Sequence, residues 1–238
     1  MASARFRRVR VLGSGDESLV LRERDGGGLE LLSGNVVLLS NASLATERAF
    51  GALAPTLTDR PLGRVFIGGL GFGATVSGVI ESCDRTTEVL VVEKIAAVER
   101  LIRGELAFVA GDPLRHAQVT VRVADAFDVL ASSRETYDVV LLDVDNGPHW
   151  ASFRANERLY SSAGLAAIAD ALTPGGALAV WSGYPSDSFQ VRLRSAGLVP
   201  SIVPLRERGA IRARAYLGTK PATTGEDTRH RERQDLER

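Results

Sequence analysis

Five short apolar runs recur down the middle of the chain: RVFIG (64–68), EVLVV (88–92), QVTVRV (118–123), DVVLLD (138–143) and GALAVW (176–181). Between them lie stretches with helical spacing, near 73–82, 94–109, 126–132 and 158–172. Strands that read as nearly unbroken Val, Leu and Ile are apolar on both faces, so they belong inside a parallel sheet with helices on either side. Repeated strand–helix units with right-handed crossovers give an open, doubly wound α/β domain. The expected fold class is therefore α/β, built on a mostly parallel sheet.

The flanks follow other rules. Residues 6–40 hold shorter β-type runs broken at Asp25-Gly26-Gly27-Gly28 and at Ser33-Gly34-Asn35, both hairpin signals. They predict a small N-terminal β-sheet. Residues 41–58 have helical spacing that Pro55 ends. Near the C-terminus, AGLVPSIVPLRERGAIRARAYLGTK reads as two strands around Glu207-Arg208-Gly209, a C-terminal antiparallel hairpin. From Pro221 the chain is charged and almost free of apolar residues, which predicts a disordered tail. The expected organisation is a β-hairpin region over 1–45, a Rossmann-like nucleoside-binding catalytic domain over 46–220, and the tail over 221–238.

Charge narrows the function. Twenty-nine Lys and Arg balance 29 Asp and Glu, so the bulk basic excess of a nucleic-acid binder is missing and no nucleic-acid partner is expected. No apolar run approaches the roughly 18 to 20 residues of a membrane span, and MASARFRRVR has no apolar core behind its basic residues. A soluble, cytoplasmic protein is the expectation. The single Cys83 and the histidines at 116, 149 and 230 have no ligand spacing, so no metal is expected.

The ends of the strands carry the chemistry. Gly68, Gly69, Gly71 and Gly73 stand where the first parallel strand hands over to a helix. There, glycines let a ligand approach the backbone and the helix start offers free N–H groups; tight strand–helix packing is the structural alternative. Glu93 closes the second strand 20 residues after Gly73, where a carboxylate can accept both hydroxyls of a ribose. Asp125-Ala126 closes the third strand, where an acid can accept an adenine amino group. Asp143 closes the fourth, beside the crevice in which such sheets hold ligands. Four consecutive strand ends of this kind point to a nucleoside. NAD remains a rival, since GLGFGATV passes for its fingerprint, but the Asp-Ala step and the terminal hairpin fit S-adenosyl nucleosides instead.

Over about residues 18–217 the chain resembles the spermidine synthase family, polyamine aminopropyltransferases within the S-adenosylmethionine-dependent (class I) methyltransferase fold. LELLSGNVVLLSNASLATERAFGAL is similar to the family's lead-in, RVFIGGLGFGATV to its glycine loop, and VVEK, VADAF, YDVVLLDVDNGP and NERLYSSAGLAAIADALTPGGALAVWS follow in family order. The resemblance implies that Glu93 binds ribose, that Asp125 binds adenine, and that Asp143 is the acid beside the transferring group. Two departures stand out. The family's loop carries an aspartate that pairs with the cationic amine of the aminopropyl donor, and here Leu70, Gly71 and Phe72 fill that stretch. Of the family's tyrosine–glutamate pair in the lead-in, only Glu47 stands near its place.

Asp143 and Asp145, two apart, point the same way from an extended strand end and can attract an amine and take its proton. At an ordinary aspartate pKa near 3.9, orientation and charge stabilisation outweigh basicity; the alternative for Asp145 is to cap the NGP turn. His149 is a candidate base, against plain exposure. Asn146, Trp150, Tyr160 and Trp181 are candidate pocket walls; packing is the rival reading for Trp150 and the favoured one for Tyr160, and Trp181, ending the fifth strand, reads as half core and half pocket. The expected function is a spermidine synthase-like transferase that binds S-adenosylmethionine, or its decarboxylated form. The lost loop aspartate tilts the reading to alkyl, most simply methyl, transfer onto a small-molecule acceptor such as an amine. The alternatives are aminopropyl transfer and a non-catalytic regulatory subunit that keeps the nucleoside pocket. A homodimer is compatible with the sequence.

Overall fold

The computed structural model describes residues 6–12, 18–42, 44–144 and 156–222. The predicted tail, apart from its first two residues, lies outside them. Four antiparallel strands open the chain, β1 (Phe6–Leu12), β2 (Leu19–Arg24), β3 (Leu29–Ser33) and β4 (Val36–Ser40), paired in chain order. After α1 (Leu44–Gly51) comes the alternating region: β5 (Arg64–Gly68), α2 (Ala74–Ser82), β6 (Glu88–Glu93), α3 (Ala96–Arg103), β7 (Val119–Val123), α4 (Ala126–Ala131) and β8 (Tyr137–Leu142). Then follow α5 (Glu157–Tyr160), α6 (Ser162–Ala171), β9 (Leu172–Ser182), α7 (Asp187–Ser195), β10 (Val199–Glu207) and β11 (Ala210–Thr219). These strands form a seven-stranded sheet in the order β10-β11-β9-β8-β5-β6-β7, in which only β11 runs against its neighbours. The α/β class, the mostly parallel sheet, the small N-terminal sheet and the antiparallel C-terminal hairpin are all present.

Alternation along the strands divides the core into two layers. Val65, Ile67, Val89, Val91, Val139 and Leu141 face α1, α2 and α3, joined there by Leu19, Leu21 and Leu31 of the small sheet. Phe66, Val140, Leu142, Leu178 and Val180 face the opposite layer of α4, α6 and α7. Each such side chain, fully buried, contributes about 1.5–3 kcal/mol.

The boundaries differ from expectation where backbone demands intervene. Helix α1 ends at Gly51, short of the expected span, and that position has to be glycine: a Cβ there would stand 2.0 Å from the Thr75 carbonyl oxygen. Gly78 makes the reciprocal approach: a Cβ there would lie 2.1 Å from the Arg48 carbonyl oxygen. This glycine pair lets α1 and α2 touch backbone to backbone. The predicted helix over 94–109 ends at Gly104, with a 3₁₀ turn over Ala107–Val109. Ser161 breaks 158–172, its hydroxyl accepting from Gly164 N as an N-cap, and the strand expected at 176–181 already begins at Leu172. Helix α7 lies where no helix was expected: DSFQVRLRS buries only Phe189 and Leu193, an i,i+4 pair in a polar segment.

Asp138 ties the start of β5 to β8. Its Oδ2 accepts from Gly63 N at 2.8 Å and Arg64 N at 2.9 Å, and its Oδ1 from Arg60 and Thr173. Asp138→Ala should cost about 3 kcal/mol in urea unfolding, since two backbone donors at a buried site lose their acceptor. A loss below about 1 kcal/mol would mean that water replaces the carboxylate.

Candidate functional site

The chain runs from β5 outward to β7 and then returns to β8 on the other side of β5, so a crevice opens at the carboxyl ends of β5 and β8. A cavity of about 350 Å³ occupies it, within the usual size for small-molecule sites. Its floor is Gly69, Gly71 and Phe72 after β5, Glu93 to Ile95 after β6, Ala124 to Ala126 after β7, and Asp143 and Val144 after β8. Val37 to Ser40 of β4, Glu47 of α1, Val98, Asn156 and Trp181 complete the wall. The small N-terminal sheet is thus part of the site, which the sequence did not announce.

Each glycine of the loop has its own task. Gly69, at φ +87°, has no room for a side chain: a Cβ would lie 2.4 Å from the Asp143 carbonyl oxygen. Gly68 is closed by Leu142, 2.8 Å from a would-be Cβ, and Gly73, at φ +90°, by Pro113 at 2.9 Å. Neither reaches the cavity wall, so of the four predicted binding glycines these two serve packing and the left-handed cap of α2. Gly71 is different. At φ +53° it faces the cavity, and no described atom lies within 4 Å of a would-be Cβ. Leu70 and Phe72 on either side are 2% exposed and pin the loop into the core. The alternation L-G-F therefore holds one free glycine between two anchors.

Besides Glu47, three carboxylates meet the cavity, two of them raised by burial and one lowered by its partners. Burial raises Glu93 above the usual carboxylate range, against the pull of backbone N–H donors. Its Oε1 accepts from Ile95 N at 2.7 Å and its Oε2 from Leu70 N at 3.0 Å, so it locks the glycine loop to β6. Each oxygen keeps a second lone pair for a ligand hydroxyl. Asp125 goes the other way: burial works to raise it, but hydrogen bonds from Lys94 and Phe127 N outweigh that and hold it below the usual range. Its Oδ1 caps α4 through Phe127 N at 2.9 Å, and its Oδ2 pairs with Lys94 Nζ at 2.8 Å. Asp143, half-buried, is pushed up to about 6 by desolvation, with the Thr75 hydroxyl, 2.6 Å from its Oδ2, working to lower it. Thr75 Oγ1 also lies 3.3 Å from the Glu47 carbonyl. The close α1–α2 crossing thus ends on the acid at the centre of the crevice.

The structure gathers Gly69, Gly71, Glu93, Asp125, Ala126, Asp143, Glu47 and Trp181 around one space. Tyr160 is not among them. It lies in the second core layer, 2% exposed, edge-on to Phe189 at 6.0 Å between ring centres. Packing, not substrate contact, is its place. Asp145, Asn146, His149 and Trp150 fall outside the described residues. Thr75, Lys94 and the β4 wall escaped the sequence reading. Only Lys94, adjacent to Glu93 in VVEK, left a local signal.

No protein-family model matches the sequence, and no curated protein matches it. Solved structures do. A spermidine synthase in complex with the transition state analogue AdoDATO aligns over 94% of this chain and 78% of its own, with a TM-score of 0.73 and 14% identity. The spermidine synthase from Thermotoga maritima aligns over 94% and 77%, with a TM-score of 0.71 and 15% identity. A probable spermidine synthase from Corynebacterium glutamicum ATCC 13032 aligns over 92% and 81%, with a TM-score of 0.59 and 18% identity. The chain has a spermidine synthase-like fold.

Proposed function

We propose that this protein is a transferase that binds an S-adenosyl nucleoside in the crevice and moves an alkyl group, most simply methyl, to a small acceptor. The observation that carries the reading is the meeting of Gly71, Glu93, Asp125 and Asp143 on one cavity. The donor set suits a nucleoside: spare carboxylate lone pairs for ribose hydroxyls at Glu93 and a polar rim at Asp125 for the base edge. Val92, Ile95 and Val98 add apolar wall for a purine face. A bound S-adenosyl nucleoside supplies an electrophilic carbon on a sulfonium with a neutral thioether as leaving group. Asp143 then attracts a cationic or polar acceptor and takes the proton that its nucleophilic atom loses as the new bond forms. Thr75 holds that carboxylate in place.

Between donors, Gly71 favours S-adenosylmethionine. The loop offers no carboxylate to repel the amino-acid end, since Leu70, Gly71 and Phe72 fill its middle. Aminopropyl transfer to an amine is the second reading, favoured by the fold, whose solved examples above are spermidine synthases. A non-catalytic nucleoside sensor is the third, and a raised, oriented Asp143 argues against it. Calorimetric competition between S-adenosylmethionine and its decarboxylated form decides the donor. Failure of both to bind overturns the reading altogether.

Glu93→Ala should weaken nucleoside affinity by about 1.5–3 kcal/mol, the usual scale for hydrogen bonds to a charged acceptor. Because Glu93 also holds Leu70 N and Ile95 N, Glu93→Gln should be run beside it. It keeps an acceptor for the loop and separates loss of ligand contact from loss of loop order. Unchanged affinity in both variants, with melting curves like the parent's, would end the ribose assignment.

A further inference from the structure

A second cavity, of about 380 Å³, adjoins the first across Trp181, whose side chain lines both. Its other walls are Ala42, Thr46, Glu207, Arg208 and Arg212. Two guanidinium groups and one carboxylate leave it net positive. Among the described residues none of Glu207, Arg208 and Arg212 forms an ion pair. This is the wrong sign for a polycation and the right one for an acid.

Both arginines reach this place through departures from regular hairpin geometry. In the β10–β11 ladder, Leu205 pairs with Ala213 but Arg206 pairs with Ile211, so Arg212 is an extra, unpaired residue, a β-bulge. Without the bulge, strict alternation would send Arg212 to the face opposite Ala213 and Ala215, whose layer also holds Trp181. Bulges re-aim side chains in this way and concentrate beside functional sites. Arg208 sits at φ +49°, followed by Gly209 at φ +81°. A two-residue turn of this hand calls for Asn-Gly or Gly-Gly, and arginine there is held against its backbone preference. Strain retained at a cavity wall is a pointer to use.

We propose that the acceptor carries an anionic group, a carboxylate or a phosphate, which Arg208 and Arg212 bind in this second cavity on the far side of Trp181 from the nucleoside. The word acceptor rests on the transferase reading; the anion site itself is tested by binding alone. Arginine's planar fork suits either group. An amine that bears such a group would have its cationic end drawn to Asp143 and its anionic end to the hairpin.

The experiment is calorimetry on the full chain with three probes that share a primary amine, with and without S-adenosylhomocysteine: 4-aminobutanoate, 3-aminopropyl phosphate and 1,4-diaminobutane. At least one anionic probe should bind tenfold or more tightly than the diamine, and whichever anion binds tighter names the group. Arg212→Gln and Arg208→Gly should each cut that affinity at least fivefold and leave S-adenosylhomocysteine affinity within twofold. Arg208→Gly should also hold or raise the melting temperature, since glycine is at ease at that φ, so lost binding would not reflect lost fold. A diamine bound as tightly as the anions, no measurable affinity for either anion, or anion affinity unchanged in both variants would overturn the proposal. A wild type that binds an anionic probe but not S-adenosylhomocysteine would sink the transferase reading and leave the anion site standing.

Discussion

Asp143→Asn should lower turnover by on the order of 10²- to 10⁴-fold, the scale of a lost proton acceptor, while making the ligand-free protein more resistant to heat. The two effects have one cause. A carboxyl raised from 3.8 to about 6 by desolvation is an ionised group that the fold holds at a cost of about 3 kcal/mol above pH 6. Asp143 is only half-buried and opens on the cavity, so about half of that is a fair expectation for the gain in the amide variant. The sign is that of a raised acid: the folded chain holds more protons than the unfolded one between pH 3.8 and about 6. The parent protein therefore gains stability from this group as pH falls through that window. Activity goes the other way. The carboxylate form is required, so turnover should fall about tenfold per pH unit below about 6 and level off above it. Asp143→Asn should flatten this acid limb in whatever turnover remains. Parent-like turnover in the variant, with the acid limb intact, would leave Asp143 a structural residue.

The same residues show how far the chain could be read without coordinates. The parallel sheet was legible because each central strand is apolar on both faces, a pattern with few other uses. The carboxylates at the ends of β6, β7 and β8 were legible because a strand end is a fixed place relative to the sheet's crevice. What stayed hidden depends on contacts between distant segments. Thr75 looks like any early helix threonine until α2 is set 68 residues away against Asp143. Gly51 and Gly78 show their purpose only when α1 meets α2, and Gly73 only when Pro113 closes over it. Packing is already the favoured reading for Tyr160 in the sequence, but the partner it packs on was not legible: Phe189 comes from a helix too polar to be seen by periodicity. Arg212 reads as one more charged residue on a strand until a single skipped pairing turns it.

Gly71→Asp should reverse the order of the two donors. The wild type should bind S-adenosylmethionine at least as tightly as the decarboxylated nucleoside, and the variant should prefer the decarboxylated one. Gly71 is the one loop glycine where the exchange is sterically open: no described atom lies within 4 Å of the new Cβ, whereas at Gly69 it would strike the Asp143 carbonyl at 2.4 Å. The backbone at φ +53° is left-handed, a region aspartate tolerates better than most residues, at about 1 kcal/mol. That strain is present in the free and the bound protein alike, so it cancels in the ratio of affinities. Charge does not cancel. A carboxylate pair about 4 Å apart costs about 4 kcal/mol at an effective dielectric near 20, close to a thousandfold against the carboxylate-bearing donor. The ammonium that both donors carry would be drawn to the new aspartate, but only the decarboxylated one brings no repelling partner with it. The ratio, measured by competition at one pH and one ionic strength, should therefore move by two to three orders of magnitude with little change in melting temperature. A wild type that already prefers the decarboxylated nucleoside strongly would mean that another group selects the donor, and aminopropyl transfer would become the leading reading.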